Sequence, residues 1–152
     1  KQYIYKDTNI GRTFILPNQE TRINECKKKF IYNCEKLKNK NIIIVDDSIV
    51  RGNVIKSIIY NLKKCGVNEI HVRIPSPPVI DICELGIAIR EKKELLAYNN
   101  SIKNMEKELE INSLEYLYLN EIDFFPKNTY NQCFSGKITN EIKKWKPIQV
   151  SL

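Results

Sequence analysis

The chain has 152 residues, of which 42% are hydrophobic and 28% are charged, a balance typical of one domain of ordinary size. No window has the ~18 or more uncharged apolar residues that a membrane-spanning helix needs, so we expect no such helix. The formal charge of +7 is compatible with a nucleic-acid, membrane-surface or polyphosphate ligand. Much of the lysine excess occurs together with asparagine and isoleucine, and this compositional bias explains the charge better than a nucleic-acid-binding face does.

The N-terminus and the cysteines indicate whether the chain is a fragment and which redox compartment it occupies. Its first residues lack the apolar segment and cleavage site of a signal peptide and do not include an initiator methionine, so we interpret the chain as a fragment. The single histidine, His71, gives no spacing suited to a zinc site. The five cysteines lack any CxxC pair, which predicts no disulfide framework and a reducing cytoplasm; they are Cys26, Cys34, Cys65, Cys83 and Cys133.

The first third of the chain leads to a buried strand. Thr13–Leu16 is predicted as a short strand, and Gln19–Leu37 fits either a helix or an irregular arm. Asn41–Val45 (NIIIV) is a continuous β-branched run bounded by polar residues. Such a run is typical of a strand that is buried on both faces of a parallel sheet.

A helix and a second strand follow. Val54–Cys65 has an apolar stripe at helical spacing, and Gly66 is placed to end that helix. Asn68–Ile74 alternates between polar and apolar residues and predicts the next strand. The strand–loop–helix–strand order predicts an α/β fold with a parallel sheet. The helical stripe comprises Ile55, Ile58, Ile59 and Leu62.

Three prolines, at 75, 77 and 78, end the second strand. Glu91–Tyr98 and Ser101–Glu110 are predicted as helices, with Ser101 as the N-cap of the latter. Leu114–Leu119 is predicted as a late strand. The turn-rich tail after Phe125 carries no prediction.

The loop between the first strand and its helix combines two chemical features. Asp46 and Asp47 follow the carboxyl end of the strand, where ligands bind in open parallel sheets. The following residues lead into a helix N-terminus, which attracts phosphate through its backbone N–H groups and its dipole. Carboxylates accept hydrogen bonds from ribose hydroxyls and can hold Mg²⁺. A bare Asp-Asp pair also suits an ordinary turn, but the whole string predicts a sugar-phosphate site.

The segment Ile42–Gly52 (IIIVDDSIVRG) closely resembles the phosphoribosyl-pyrophosphate motif of the glutamine phosphoribosylpyrophosphate amidotransferases. The resemblance runs from about Lys6 to Thr139. It implies a type I phosphoribosyltransferase-like parallel sheet flanked by helices, incomplete at the N-terminus. The further matching stretches are Gly11–Ile15 with Pro17, Gln19 and Arg22; Gly66–Pro78; Gly86–Ile87, Glu94–Leu96 and Ser101; and Cys133–Lys137.

This resemblance also implies a reaction and roles for individual residues. In that family, ammonia displaces pyrophosphate from 5-phosphoribosyl-1-pyrophosphate, which is the first committed step of purine synthesis. Asp46 and Asp47 would contact the ribose hydroxyls and Mg²⁺. Lys6 and Arg12 would act at the flexible loop that closes over pyrophosphate, with added charge from Lys29. The residues that would wrap the 5-phosphate are Ser48, Ile49, Val50, Arg51, Gly52 and Asn53.

The chain departs from the family pattern at Ala88, where the family has an aspartate, and in two further places. Asn53 and Val54 stand where the family has two threonines, so two hydroxyl donors to phosphate are lost. Some members hold an iron–sulfur cluster on four cysteines, and only Cys83 and Cys133 match those positions. Tyr130 stands at a third, and the fourth would precede this chain. Because two ligands cannot hold a cubane, we predict no cluster and interpret both thiols as buried or inert.

The resemblance places residues 1–152 in the C-terminal part of a phosphoribosyltransferase domain, without the family's glutaminase domain. Ammonia would come from glutamine through that missing domain, and the full-length protein is expected to be a cytoplasmic homo-oligomer that binds neither nucleic acid nor membrane. Turnover by this piece alone is left open. The alternatives are a non-catalytic regulator that binds phosphoribosyl pyrophosphate, a salvage or pyrimidine phosphoribosyltransferase, and a nucleic-acid-binding module.

Overall fold

The computed structural model describes residues 4–6, 30–83, 89, 91–121 and 129–137. Within them, two short strands, β1 (Ile4–Lys6) and β2 (Phe30–Tyr32), form an antiparallel pair. A one-turn helix, α1 (Cys34–Leu37), follows β2 directly. The predicted arm Gln19–Leu37 is therefore a short strand and a helical turn in its described part, whereas the predicted strand Thr13–Leu16 lies outside the described residues.

The centre of the fold is a three-stranded parallel sheet. It contains β3 (Asn41–Val45), β4 (Glu69–Ile74) and β5 (Ser113–Tyr116) in that spatial order. The prediction of an α/β fold is confirmed. The predicted bounds of β3 and β4 also agree with the structure to within one residue. The third ends at Tyr116 instead of Leu119, because a 3-10 turn at Leu119–Glu121 takes over.

Helix α2 (Asn53–Lys64) connects β3 to β4 and buries the predicted stripe. Leu62 is fully buried in it, facing sheet residues such as the equally buried Val72. The helix ends at Lys64, and Gly66 follows its C-cap with a φ of 75°, the left-handed conformation that glycine adopts without steric cost. A continuous apolar core therefore fixes the helix that follows the candidate loop.

The prediction that β3 is buried on both faces is wrong. Ile43 is 66% exposed and Val45 is 70% exposed, while Ile42 and Ile44 pack against the core. The physical reason is that α2 and the core cover one face of the strand, and none of the described residues covers the other. The continuous apolar run of β3 therefore did not predict correctly how many faces of the strand are buried.

The segment after β4 also differs from expectation. The predicted helix Glu91–Tyr98 is a 3-10 turn, Lys92–Glu94, followed by further turns. Helix α3 (Ile102–Leu109) forms as predicted, and its N-cap Ser101 accepts a hydrogen bond from the Asn104 backbone at 3.2 Å. A second apolar cluster joins the 3-10 region to a short helix, α4 (Gln132–Ser135); its buried members are Val79, Ile89, Leu95 and Cys133.

A disulfide joins Cys34 of α1 to Cys65 at the end of α2, with a Cα–Cα distance of 4.5 Å. This corrects the expectation that the cysteines form no disulfide. The two residues are 31 positions apart in sequence, and the packing of α1 beside the carboxyl end of α2 brings them together. No short motif could reveal this pairing.

No helix in the described part of the chain is both long and apolar enough to cross a membrane.

Candidate functional site

The candidate site begins where β3 ends. The Asp46 backbone donates to the Arg73 carbonyl of β4 at 3.4 Å, which holds the start of the loop on the sheet. Asp46 Oδ1 accepts from the Asp47 backbone at 3.1 Å, and Asp47 Oδ1 accepts from the Ser48 hydroxyl at 3.4 Å. Asp47 is exposed and Asp46 is half-buried. The two carboxylates and a hydroxyl therefore stand together at the carboxyl edge of the sheet, as predicted.

The middle of the loop is anchored in the interior. Ile49 is 3% exposed and belongs to the main core, and Val50 packs against the second apolar cluster. Their side chains therefore hold the loop in place. Two neighbouring residues in the string IVRG are thus structural anchors of the loop.

The loop ends in a helix N-terminus suited to an anion. Gly52, with φ of 78°, is the N-cap of α2, and as a glycine it contributes no side-chain cap to that end. The Gly52 carbonyl accepts from Lys56 at 2.9 Å, so the helix begins immediately. Asn53 is half-buried in the first turn, while Val54 packs against the core. Backbone N–H groups of this first turn remain directed toward the loop, where they can bind phosphate.

The segment Glu94–Leu96, for which the sequence predicted no functional role, packs against this loop and supports it. The Leu96 backbone donates to the Val50 carbonyl at 2.9 Å, and Arg51 Nε lies 2.7 Å from Glu94 Oε2. A Cβ added to Gly52 would lie 3.2 Å from Leu96 Cδ2, so the Leu96 side chain packs closely against the Gly52 backbone. The only available signal was the match of Glu94–Leu96 to the family pattern, which by itself indicated no contact.

The basic residues predicted to act at the flexible loop lie partly outside the residues that the structure describes. Lys6 is the last residue of β1, and only its backbone is described. Arg12 and Lys29 lie outside the described residues. The structure therefore places the Asp46–Asn53 loop as one unit but does not relate it to these basic side chains.

Cys83 and Cys133 are free thiols that lie in the second apolar cluster. Burial raises the pKa of the Cys133 thiol, and the neighbouring Cys83 raises it further, so Cys133 is protonated near neutral pH. Tyr130 donates its hydroxyl to Gln132 at 2.8 Å. The absence of a cluster stays a prediction. In the described part of the chain, no three or more His, Cys, Asp and Glu residues are grouped to hold a metal.

An ion pair between a buried carboxylate and an exposed lysine stabilises the 3-10 turn next to the loop. Asp81 is 6% exposed, and its Oδ1 lies 2.8 Å from Lys92 Nζ. The hydrogen bond from Lys92 holds the pKa of Asp81 below its usual value. Because the folded-state pKa is depressed, the pair stabilises the fold above the unfolded-state pKa of about 3.9 and is lost as pH falls through the folded-state value.

We therefore expect Asp81→Asn to be less stable than the parent at neutral pH, with the difference shrinking below about pH 4. Denaturant unfolding followed at several pH values measures this difference. Glu108→Gln, a change in an exposed carboxylate, serves as the control for removing one charge. A stability difference that grows as pH falls would contradict the assignment.

Comparisons with known proteins agree with the resemblance. No protein-family model matches the chain. It is 42% identical over 116 residues to the amidophosphoribosyltransferase of Homo sapiens, covering 76% of this chain and 22% of that protein. It is 35% identical over 141 residues to that of Methanocaldococcus jannaschii, covering 91% of this chain and 30% of the relative. The chain thus spans less than a third of the length of these relatives.

Solved structures give the same result. The fold is similar to a glutamine phosphoribosylpyrophosphate amidotransferase from B. subtilis complexed with ADP and GMP, with a TM-score of 0.70 and 30% identity. That similarity covers 90% of this chain and 32% of the other. A second structure, described as the allosteric regulatory enzyme of purine biosynthesis, has a TM-score of 0.68 and 29% identity.

Proposed function

Because this chain belongs to the amidophosphoribosyltransferase family over most of its length, we propose that residues 1–152 are the C-terminal part of a phosphoribosyltransferase domain. We further propose that the loop Asp46–Asn53 binds 5-phosphoribosyl-1-pyrophosphate. One observation carries this proposal: a pair of carboxylates shares one short loop with a helix N-terminus whose N-cap, Gly52, has no side chain to cap it. A ribose with vicinal hydroxyls and a 5-phosphate needs both groups side by side.

The two halves of the loop take different parts of the substrate. Asp46 and Asp47 accept hydrogen bonds from the ribose hydroxyls. The backbone N–H groups from Ser48 to Asn53 surround the 5-phosphate, since the side chains of Ile49 and Val50 are turned into the protein. Gly52 adopts the left-handed φ of 78° that leads the loop into the helix, a conformation that glycine adopts without steric cost.

The residues fit a magnesium ion held jointly with the substrate. Mg²⁺ is commonly bound by one or two carboxylates together with substrate phosphates and water, and Asp46 and Asp47 offer such a pair. When bound, the ion would neutralise charge on the leaving pyrophosphate. The protein's own contribution is to hold the ribose at Asp46 and Asp47 so that its anomeric carbon is presented to ammonia.

The proposed reaction is displacement of pyrophosphate by ammonia at the anomeric carbon, giving 5-phosphoribosylamine. Negative charge increases on the departing pyrophosphate, and the basic side chains of Lys6 and Arg12 are proposed to stabilise it. No protein nucleophile is required. In the full-length protein, a glutaminase domain would supply ammonia from glutamine, and we propose a cytoplasmic homo-oligomer acting in purine synthesis.

A regulator that binds the substrate without turnover is the second candidate. It is favoured by Asn53 and Val54, which replace two hydroxyl side chains at the phosphate-binding turn. Val54 packs against the core, so its replacement changes packing as well as hydrogen bonding. Asn53 is half-buried, and its amide can donate to phosphate in place of one hydroxyl.

The test is a titration of the full-length protein with phosphoribosyl pyrophosphate and Mg²⁺, followed by an assay for pyrophosphate release with ammonia. We expect binding and ammonia-dependent release. Binding without release would support the regulator instead, and release only with a nucleobase would indicate a salvage enzyme. A folded protein that does not bind the substrate would refute both the site and the function.

The left-handed Gly52 provides a separate prediction. Gly52→Ala should lower the free energy of unfolding by about 1–2 kcal/mol, because a Cβ disfavours this conformation, and should weaken substrate binding by moving the loop. Gly66→Ala is a matched control, since Gly66 has φ of 75° but lies at the other end of α2. Thermal unfolding and calorimetric titration of both variants separate the two effects. Equal substrate affinity in both variants would contradict the role of Gly52.

A further inference from the structure

Arg51 lies in the middle of the loop proposed to surround the 5-phosphate, yet its side chain is engaged elsewhere. Arg51 Nε donates to Glu94 Oε2 at 2.7 Å. The two side chains are only 15% and 25% exposed. A charge-assisted hydrogen bond with little access to water is stronger than the exposed ion pairs of this protein. The cation that the sequence suggested as a phosphate ligand therefore serves an internal contact.

Glu94 is itself held in place from several sides. Its Oε1 accepts from the Glu91 backbone at 3.2 Å, and its own backbone donates to the Glu91 carbonyl at 3.0 Å. The same 3-10 turn is tied to Asp81 through Lys92. A carboxylate fixed by its own turn can fix the orientation of its partner.

The contacts between the turn and the loop fall on three consecutive loop residues. Val50 accepts a backbone hydrogen bond from Leu96, Arg51 pairs with Glu94, and Gly52 packs closely against Leu96. These are the residues immediately before the first turn of α2. Their position determines where the amides of that turn point.

We propose that Glu94 is a positioning residue for the phosphate-binding loop, acting through Arg51, and that the Arg51 guanidinium does not bind the 5-phosphate. This inference rests on the proposed function. Removal of the Glu94 charge leaves Arg51 without its carboxylate and loosens the loop, so affinity for the 5-phosphate falls. If Arg51 were instead a phosphate ligand, its release from Glu94 would leave affinity unchanged or increase it.

The test compares Glu94→Gln with the parent in the full-length protein, using two probes. Ribose 5-phosphate carries the group that the loop binds, whereas inorganic pyrophosphate does not. We expect Glu94→Gln to weaken ribose 5-phosphate binding about tenfold, the scale of losing one hydrogen bond to a charged group, and to leave pyrophosphate binding unchanged. Glu94→Asp, which keeps the charge, should restore part of the affinity.

The control is Glu108→Gln, which breaks the 2.6 Å ion pair between Glu108 of α3 and Lys56 of α2 and should change neither affinity. If Glu94→Gln does not fold, Glu94→Asp carries the same comparison, because the shortened side chain weakens the pair. Affinity for ribose 5-phosphate should then fall under the inference and stay unchanged or rise if Arg51 is a phosphate ligand. Unchanged or tighter ribose 5-phosphate binding, or equal loss of both probes, would overturn the inference while the proposed function stands. A parent protein that binds neither probe would overturn both.

Discussion

Replacing either Asp46 or Asp47 with asparagine is expected to weaken the binding of phosphoribosyl pyrophosphate by about 10- to 100-fold. Each carboxylate is proposed to accept a hydrogen bond from a ribose hydroxyl, and a hydrogen bond to a charged group contributes about 1.5–3 kcal/mol. Both side chains are accessible enough to meet a ligand at the edge of the sheet.

Asparagine is informative here because it retains the local geometry. Asp46 Oδ1 accepts from the Asp47 backbone, and an amide oxygen at the same position can accept that bond. The measured loss would therefore report the missing charge more than a displaced loop. If the carboxylates also hold Mg²⁺, removal of the ion should weaken the parent more than either variant.

Calorimetric titration with and without Mg²⁺ measures both effects. Glu108→Gln is again the matched control, because it neutralises an exposed carboxylate far from the loop in sequence. Affinities in both asparagine variants equal to that of the parent would exclude the carboxylate pair as the ribose-binding half of the site.

Opening the Cys34–Cys65 disulfide is expected to lower the free energy of unfolding by about 3–4 kcal/mol. The bond closes a loop of 31 residues in sequence separation, and the loss of chain entropy in the unfolded state scales with that length. Such a loss is a large part of the ~5–15 kcal/mol by which domains are stable.

Chemical denaturation with and without a reducing agent measures this loss. Cys34→Ala is the better variant for comparison, because Cys34 is exposed whereas Cys65 is part of the core. The variant should be as unstable as the reduced parent and should not respond to the reducing agent. A parent protein whose stability does not change on reduction would contradict a contribution from the bond.

The disulfide lies at the opposite end of α2 from Gly52. In protein that stays folded, we therefore expect reduction to leave the affinity for phosphoribosyl pyrophosphate nearly unchanged. The two ends of α2 thus have different roles. The carboxyl end anchors α1 and the strand before it, and the amino end carries the candidate site.

Local patterns in the sequence were sufficient for the central unit of the fold. The β-branched run at Asn41–Val45, the apolar stripe of α2 and the alternation before Pro75 each depend on neighbours within one or two turns, and each element formed where it was predicted. The late segments were less predictable. At Glu91–Tyr98, turns stand in place of the predicted helix, because Leu95 and Leu96 are buried in two different clusters.

By itself the sequence determined the parallel α/β unit and the location of a carboxylate pair between a strand and a helix, because these features depend on residues that are adjacent in the chain. The roles of the paired carboxylates remain a proposal that titration can test. Only the tertiary structure decided which face of β3 is covered, that Cys34 meets Cys65, and that Arg51 turns toward Glu94. Those contacts join residues 31 and 43 positions apart, and local periodicity contains no information about such distant partners.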